Sequence, residues 1–499
     1  MLDGLGDWVK KNIFWGHGFN IFSLTDFLSW MGGGWGISRG LVMWILYIGL
    51  LFVLSEQIPH LFVFTLSWVL GLAPLWLPIG LGYAALSAWI WYIQAYYLAG
   101  RDGMLLEVKI PRDIFKSPRA MELALIPMNL SSGETTAINR AWQGGVRPFW
   151  SFELASFGGQ VHFYIWTWRG FKELVESSIY AYYPEVELVE VEDYAMKFRF
   201  DPEIHDCYIT EWRRESFRQD HIDKSKTRDG SRELNAYPIK TYIDYELDKD
   251  PKEEFKIDPL AEPLEFMSSL RPEDQMWAQI VIRSAGYPST HVFSGLGFAN
   301  DMKRHLEIVR KEQRAVRVES LMLFKHESLR TPEDNKNPEF GVYNLNAGSR
   351  GASSVVLAEL VERMERNANK YLYEVGIRGW IVSTKPVTSH YYNGMRFMWR
   401  PMGDPNYSSW LRPRRWHPPF DYPWQDYNNI RWNMAARRFL DAYRRRLFFH
   451  SPWRTYESPM ILSNEEIATL WHPVSRAVAI PGLDRIPAKK AEPPSNLPK

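Results

Sequence analysis

A single cysteine, Cys207, stands among 499 residues. It excludes an internal disulfide and a cysteine-based metal site, and agrees with a reducing compartment. Net charge is equally scarce. With 59 basic against 58 acidic residues, the chain is no globally basic nucleic-acid binder, although local patches survive that test. The motifs of common chemistry are missing as well. There is no G-x-x-x-x-G-K-[ST], and the glycine clusters at Gly144 and Gly348 supply no lysine, which argues against intrinsic nucleotide hydrolysis. H-E-x-x-H and cysteine pairs are also absent. His417 and His472, each inside a Trp-His-Pro triplet, remain as candidate ligands, but lone histidines beside proline more often serve turns or buried hydrogen bonds. Neither a cofactor nor a metal nor an enzymatic activity is expected.

Lysine and arginine are missing from Gly40 to Gly100, where Glu56 is the one formal charge. A spanning helix needs roughly 20 apolar residues, so this stretch predicts a transmembrane hairpin with spans at about 41–57 and 75–97. Glu56, Pro59 and His60 form the polar break between them, and the path of 61–74 is left open. Leu41, Trp44, Trp76, Trp89 and Trp91 are the expected membrane contacts, and Tyr92, Tyr96 and Tyr97 an aromatic belt. Lys10, Lys11 and Arg39 precede the hairpin and Arg101, Lys109 and Arg112 follow it, which predicts that both flanks are cytoplasmic. Residues 1–38 carry Asp3 and Asp7 where a signal peptide is positive, and are expected to lie along the membrane surface.

An α+β region is expected next. Over 101–200 a strand at Leu105 to Lys109, a helix capped by Ser117 with Pro118 at its first position, and two strands about Gly158 and Gly159 follow in order. A helix then presents Phe171, Leu174, Val175, Ser178, Ile179 and Tyr182 on one face. In the last strand the apolar phase switches between Leu188 and Val189, which predicts a bulge. The order βαββαβ is that of the ferredoxin-like split unit. A second α+β domain is predicted over 201–395, with strands at Cys207 to Glu215, Ile239 to Leu247, Met276 to Arg283 and Val375 to Thr384. Helices are expected at Leu260 to Leu270 and Val355 to Tyr373, with a long inserted helix at about Phe298 to Leu329. The predicted architecture is therefore a membrane hairpin followed by tandem ferredoxin-like α/β sandwiches.

Two features can carry recognition. The strand "VHFYIWTW" puts His162, Tyr164, Trp166 and Trp168 on one face, either to stack unpaired bases or to pack against the other α+β unit. The stretch 396–460 is rich in Arg and aromatics: Met395 to Arg454 holds 12 Arg, 4 Asp and no Lys. Arg412, Arg414, Arg415, Arg437, Arg438, Arg444 and Arg445 are its candidate contacts to DNA or to anionic membrane lipid, the alternative being ion pairs with acids of the α+β units.

In the last stretch, 461–499, Ser463 and Glu466 have capping-box spacing, and "LSNEEIATLWHPVSRAVAIPGLDRIPAKKAEPPSNLP" passes from a short helix into a proline-rich run. This stretch resembles the junction that precedes the ATPase core in bacterial type IV secretion and conjugation ATPases of the TraG/TraD and HerA-like translocase group. The segments "LLEVKIPRDIFKSPRAMELAL", "GGQVHFYIWTWRGFKELVESSIYAYYPEVELVEVEDY" and "YEVGIRGWIVST" are similar to the membrane-tethered N-terminal portion of that group. Walker motifs do not follow in this sequence, so no catalytic residue carries over. The resemblance implies a stand-alone version of that portion: a non-catalytic inner-membrane component serving a separate HerA/TraG-like ATPase, with Glu465, Glu466, Trp471, His472 and Pro473 as candidate docking residues. Ring ATPases of that group commonly act as hexamers, a symmetry open to their partners, while the sequence itself leaves the oligomeric state unread. The rival reading is a membrane-tethered nucleic-acid-binding protein that uses 395–454.

Overall fold

The structure is a computed structural model, and it describes residues 48–53, 55–57, 59–130, 136–216, 235–249, 257–285, 302–315, 355–404, 409–414, 426–450 and 459–486. Leu41, Trp44, Arg415, His417, the segment 1–38 expected along the membrane surface and the proline-rich run from 487 lie outside them. The chain divides into two compact units, one of residues 1–89 with 417–435, the other of 90–416 with 436–499.

In the first unit the described backbone is helical. A short apolar helix, Ile48–Gln57, is followed by α1 (Pro59–Gly71) and by α2 (Ala73–Ala99), whose last turns belong to the second unit. Only α2, among the described residues, is long and apolar enough to cross a membrane. The stretch 61–74, whose path the sequence left open, is thus largely helical. Trp89 and Trp91 are exposed on α2.

The second unit is built on one sheet whose strand pairs are all antiparallel. Its strands are β1 (Gly103–Lys109), β2 (Phe149–Phe157), β3 (Gln160–Trp168), β4 (Glu187–Val191), β5 (Asp206–Ser216), β6 (Gln275–Ser284), β7 (Leu372–Ser383), β8 (Ser409–Arg414) and β9 (Met460–Ser463). The order is β4-β1-β3-β2-β6-β7-β5-β8, and β9 also pairs with β7. The two α+β regions therefore share a continuous sheet, joined at its centre by β2 and β6 through the register Glu153↔Gln279.

Local chemistry accounts for the elements. Gly158 (φ +60) and Gly159 (φ +88) give β2–β3 its two-residue turn, with Phe157 opposite Gln160; left-handed backbone at both centres is what such a hairpin needs. Helices α3 (Arg119–Leu125), α4 (Lys172–Tyr182), α5 (Ala261–Ser268), α8 (Ser389–Phe397) and α10 (Asn464–Leu470) all cover one face. Their Met121, Ile179, Leu264, Met395 and Ile467 share a core with Phe152, Phe163, Ile280 and Ile377 of the sheet. Two further helices, α6 (302–315) and α7 (355–368), form a satellite core with Tyr237 and Ile461.

The other face carries β2 residues Ser151 and Glu153, β6 residues Trp277 and Gln279, and β7 residues Arg378 and Trp380, as strand alternation dictates. It is covered by the turn Tyr194–Lys197, by Phe198 and Phe200, and by α9 (Ile430–Arg444) with the loop after it.

Several expectations change. Residues 239–247 form turns, not a strand, and the helix expected through Tyr373 stops at 368 because Leu372 opens β7. No bulge interrupts β4: its register on β1 is continuous from Glu187 to Val191, and Val186 is buried just before the strand. Described residues within 396–460 and 461–486 supply β8, α9, β9 and α10 to the sheet and both its faces.

Candidate membrane and partner surfaces

The capped helix α10 forms as its sequence predicts. Ser463 Oγ accepts from the Glu466 backbone N–H at 3.3 Å and the Ser463 N–H donates to Glu466 Oε2 at 2.9 Å, closing the capping box. The expected docking residues, however, face inward. Glu465, Glu466, Trp471, His472 and Pro473 are all buried against their own chain, so they offer no free surface where they stand.

Each has an intramolecular partner set. Glu466 pairs with the buried Arg214 of β5 and accepts from the Ile239 N–H at 3.0 Å. Glu465 accepts from Thr241 Oγ1 at 2.6 Å and Arg366 Nε at 3.1 Å, with Lys370 Nζ at 3.4 Å. Burial pushes its carboxyl above the usual range and outweighs those partners. Lys370 also contacts Glu122, which accepts from Tyr242 Oη. Trp471 packs on Phe152 and Phe163 and donates from Nε1 to the Glu153 carbonyl at 3.2 Å.

His472 lies between two oxygens. Nδ1 is 2.8 Å from the Ala468 carbonyl, and Nε2 is 3.0 Å from Asp258 Oδ2. Burial pushes the Asp258 carboxyl up, but the His472 ring more than offsets this and leaves it below the usual range. The pair borders a cavity of about 30 Å³, shared with Ser117 and Ser475, which is room for about one water. Among the described residues there is no group of three His, Cys, Asp or Glu able to hold a metal.

The Arg-rich stretch is split between inside and outside. Arg446, which the sequence reading passed over, is fully buried and grips Glu153 from Nε (2.9 Å) and from a terminal nitrogen (3.1 Å) while also pairing with Asp193. Arg444 donates from Nε to the Ala195 carbonyl at 2.9 Å and also to the Phe198 carbonyl. Arg412 pairs with Glu215 at 2.7 Å and Arg445 with Asp441 at 2.8 Å. Arg412, Arg414, Arg437, Arg438 and Arg445 remain exposed. Helix α9 buries Ala436, Phe439, Leu440 and Tyr443 at i, i+3, i+4 and i+7, so Arg437 and Arg438 project from the opposite side.

The aromatic face of β3 is closed. Tyr164, Trp166 and Trp168 are buried. Tyr194 lies 5.2 Å from Tyr164 between ring centroids, and Arg446 sits 5.7 Å over Trp166. Base stacking there is ruled out by cover, and that cover comes from 194–198 and from the segment after α9 rather than from the second α+β sheet.

A polar row crosses this closed face along the strand register: Glu107, Tyr164, Glu153, Gln279, Arg378, Glu211 and Arg414. Gln279 links its centre, donating to Glu153 Oε1 at 2.9 Å and accepting from Arg378 Nε at 2.7 Å. Burial brings the Arg378 guanidinium down to about 10. The signal was available in "WSFELASF", where Ser151 and Glu153 interrupt an otherwise apolar strand on one face. No protein-family profile, curated protein or solved structure matches this chain.

Proposed function

We propose that this chain is a non-catalytic, multi-pass component of the inner membrane that positions a separate TraG/HerA-like ATPase in a type IV secretion-like transfer machine. The observation that carries the reading is α2, an apolar helix of 27 residues separated from β1 only by Gly100, Arg101 and Asp102. Such a short connection holds the sheet domain against the membrane. We read Ile48–Gln57 as the end of a first span, making a hairpin with cytoplasmic flanks.

We read the sheet as two ferredoxin-like units joined edge to edge. Strands β1 to β4 run in the order β4-β1-β3-β2, and β5 to β8 in the order β8-β5-β7-β6. Both are the order 4-1-3-2 of the split βαββαβ motif. Helices α3 and α4 serve the first unit and α5 and α8 the second, with α6 and α7 inserted between β6 and β7. The resemblance of "NEEIATLWHP" to the junction of translocase ATPases supplies the partner class, and because those residues are buried we look for the docking surface elsewhere on the domain. The test is co-purification in detergent with the Walker-bearing ATPase encoded nearest to it. A stable complex is expected, and no association at micromolar concentrations refutes the reading.

The exposed Arg412, Arg414, Arg437 and Arg438 favour one second reading, direct contact with single-stranded DNA. It requires affinity that falls steeply with salt and that is lost on reversing these charges.

A further inference from the structure

Helix α2 is built into the sheet domain over its last turns. Ile93 is buried and Ile90, Gln94 and Tyr97 are half-buried, whereas Trp91, Tyr92 and Tyr96 stay exposed. The contact is close. Gly144, at φ +67, lies so near that a Cβ on it would be 2.2 Å from the Ile93 carbonyl oxygen. Arg101 fixes the next turn, donating to Tyr97 Oη at 2.6 Å and lying 4.5 Å over the Tyr97 ring and 5.7 Å over Trp168. The helix end and the segment that carries Gly144 therefore move together.

That segment includes the helical turn Ala137–Ala141, capped by Thr136, whose Oγ1 accepts from the Asn139 N–H at 3.1 Å. The Gly145 N–H donates to the Asn139 carbonyl at 2.8 Å and folds the turn back onto Gly144. Its apolar side chains point outward: Ile138 is 63% exposed and Trp142 69%. Large apolar groups exposed together mark a surface that meets something apolar.

Their level follows from the helix. Tyr92 and Tyr96 stand about 6 Å apart along it at 1.5 Å per residue, and tyrosines on a spanning helix gather at the headgroup layer. Gly144 touches the helix between them, at Ile93 and Gln94, so Trp142, two residues away, is held at the same layer.

We propose that Ile138 and Trp142 form a second membrane contact, inserting into the boundary between headgroups and acyl chains of the bilayer that α2 crosses. The domain then rests on the membrane at two points, which fixes its tilt. This inference rests on the spanning reading of α2, and the experiment separates the two.

Cys207 is buried, so single cysteines introduced at Ile138, Trp142, Trp89 and Ile257 can be labelled with an environment-sensitive fluorophore in the full chain. Each labelled protein is reconstituted in vesicles of phosphatidylethanolamine and phosphatidylglycerol. Labels on Ile138→Cys and Trp142→Cys should lose about half their emission when shallow nitroxide lipids are included, as expected ~5–10 Å into the boundary. Iodide in the water should quench them little. The label on Ile257→Cys, on the loop bearing Asp258, should show the reverse. If the labels at 138 and 142 behave like the one at 257 while that on Trp89→Cys is quenched by lipid, the second contact is wrong and the span stands. If the label at 89 is also insensitive to lipid, both fail.

Discussion

Arg446 and Glu153 are 293 positions apart in sequence, yet their side chains form a two-pronged ion pair with neither exposed to solvent. Arg446 takes a left-handed backbone, φ +54, to make it, a conformation non-glycine residues adopt at a cost. Around Glu153 the Ser151 hydroxyl (2.7 Å), the Gln279 amide (2.9 Å) and the Tyr194 hydroxyl (2.7 Å) complete the acceptor's shell. The pair thus binds the segment after α9 to the centre of the sheet, where the two α+β regions meet.

Removing one partner leaves the other charged and buried. Arg446→Met should therefore destabilise by about 3–5 kcal/mol, whereas the double change Arg446→Met with Glu153→Leu should recover much of that loss. The exposed pair of Arg412 with Glu215 provides the contrast, and Arg412→Ala should cost no more than about 1 kcal/mol. Denaturant midpoints of the three variants at constant slope decide it.

Opposite pH dependences are expected from two acids near α10. Asp258 is held below its usual range by His472, so its stabilisation is present above the unfolded-state value of 3.8 and is lost as pH falls through the lower folded value. Glu465 is raised by burial. Its contribution is complete below the unfolded-state 4.5 and is lost as pH rises through the folded value. Glu465→Gln should accordingly be neutral or stabilising at pH 7 and lose that advantage below about pH 4, while Asp258→Asn should destabilise at pH 7. Thermal melts of both variants across pH 3–8 test the signs.

The sheet elements were readable where side chains alternate or turn residues are strong. Gly158-Gly159 announced the hairpin, Ser463 and Glu466 announced the cap, and Leu174, Val175, Ser178 and Ile179 announced α4. Pairing across long separations was not readable: nothing in "FWSFELASF" says that β2 meets β6 rather than standing at an edge. Burial was the other blind spot. Glu465 and Arg446 look like surface residues by type, since charged side chains are seldom fully buried unless paired, and their partners Arg366 and Glu153 come close only in the folded chain. The row from Glu107 to Arg414 is likewise a property of register, which period-two patterns leave undetermined until the strands are paired.

The aromatic stack beneath α9 should matter more for stability than its cations. Phe439 is buried, with its ring stacked 5.8 Å from Trp380, which in turn stacks 6.3 Å from Trp277. Phe439→Ala opens a cavity there and should cost about 3–5 kcal/mol. Arg437→Ala and Arg438→Ala, on the exposed side, should change the unfolding free energy by less than about 0.5 kcal/mol. Equal losses at 437 and 439 would show that the buried side of α9 has been misplaced.

Gly144 gives a prediction about the join between helix and domain. Alanine there meets two obstacles, a left-handed φ of +67 and the Ile93 carbonyl oxygen 2.2 Å from the new Cβ. The backbone term alone is about 1–2 kcal/mol, and the carbonyl belongs to a helix backbone that cannot turn away without breaking its own hydrogen bonds. Gly144→Ala should therefore separate the 136–145 segment from α2 while leaving the sheet folded. Amide exchange should speed up at Ile93 to Tyr97 and at Asn139 to Gly145, and remain slow in β2, β6 and β7, whose pairing does not depend on that contact. Gly170 serves as the control: nothing lies within 4 Å of a Cβ placed on it, so Gly170→Ala should leave exchange at the join unchanged. Uniform acceleration across the sheet in Gly144→Ala would mean that the join is part of the global fold and not a local contact.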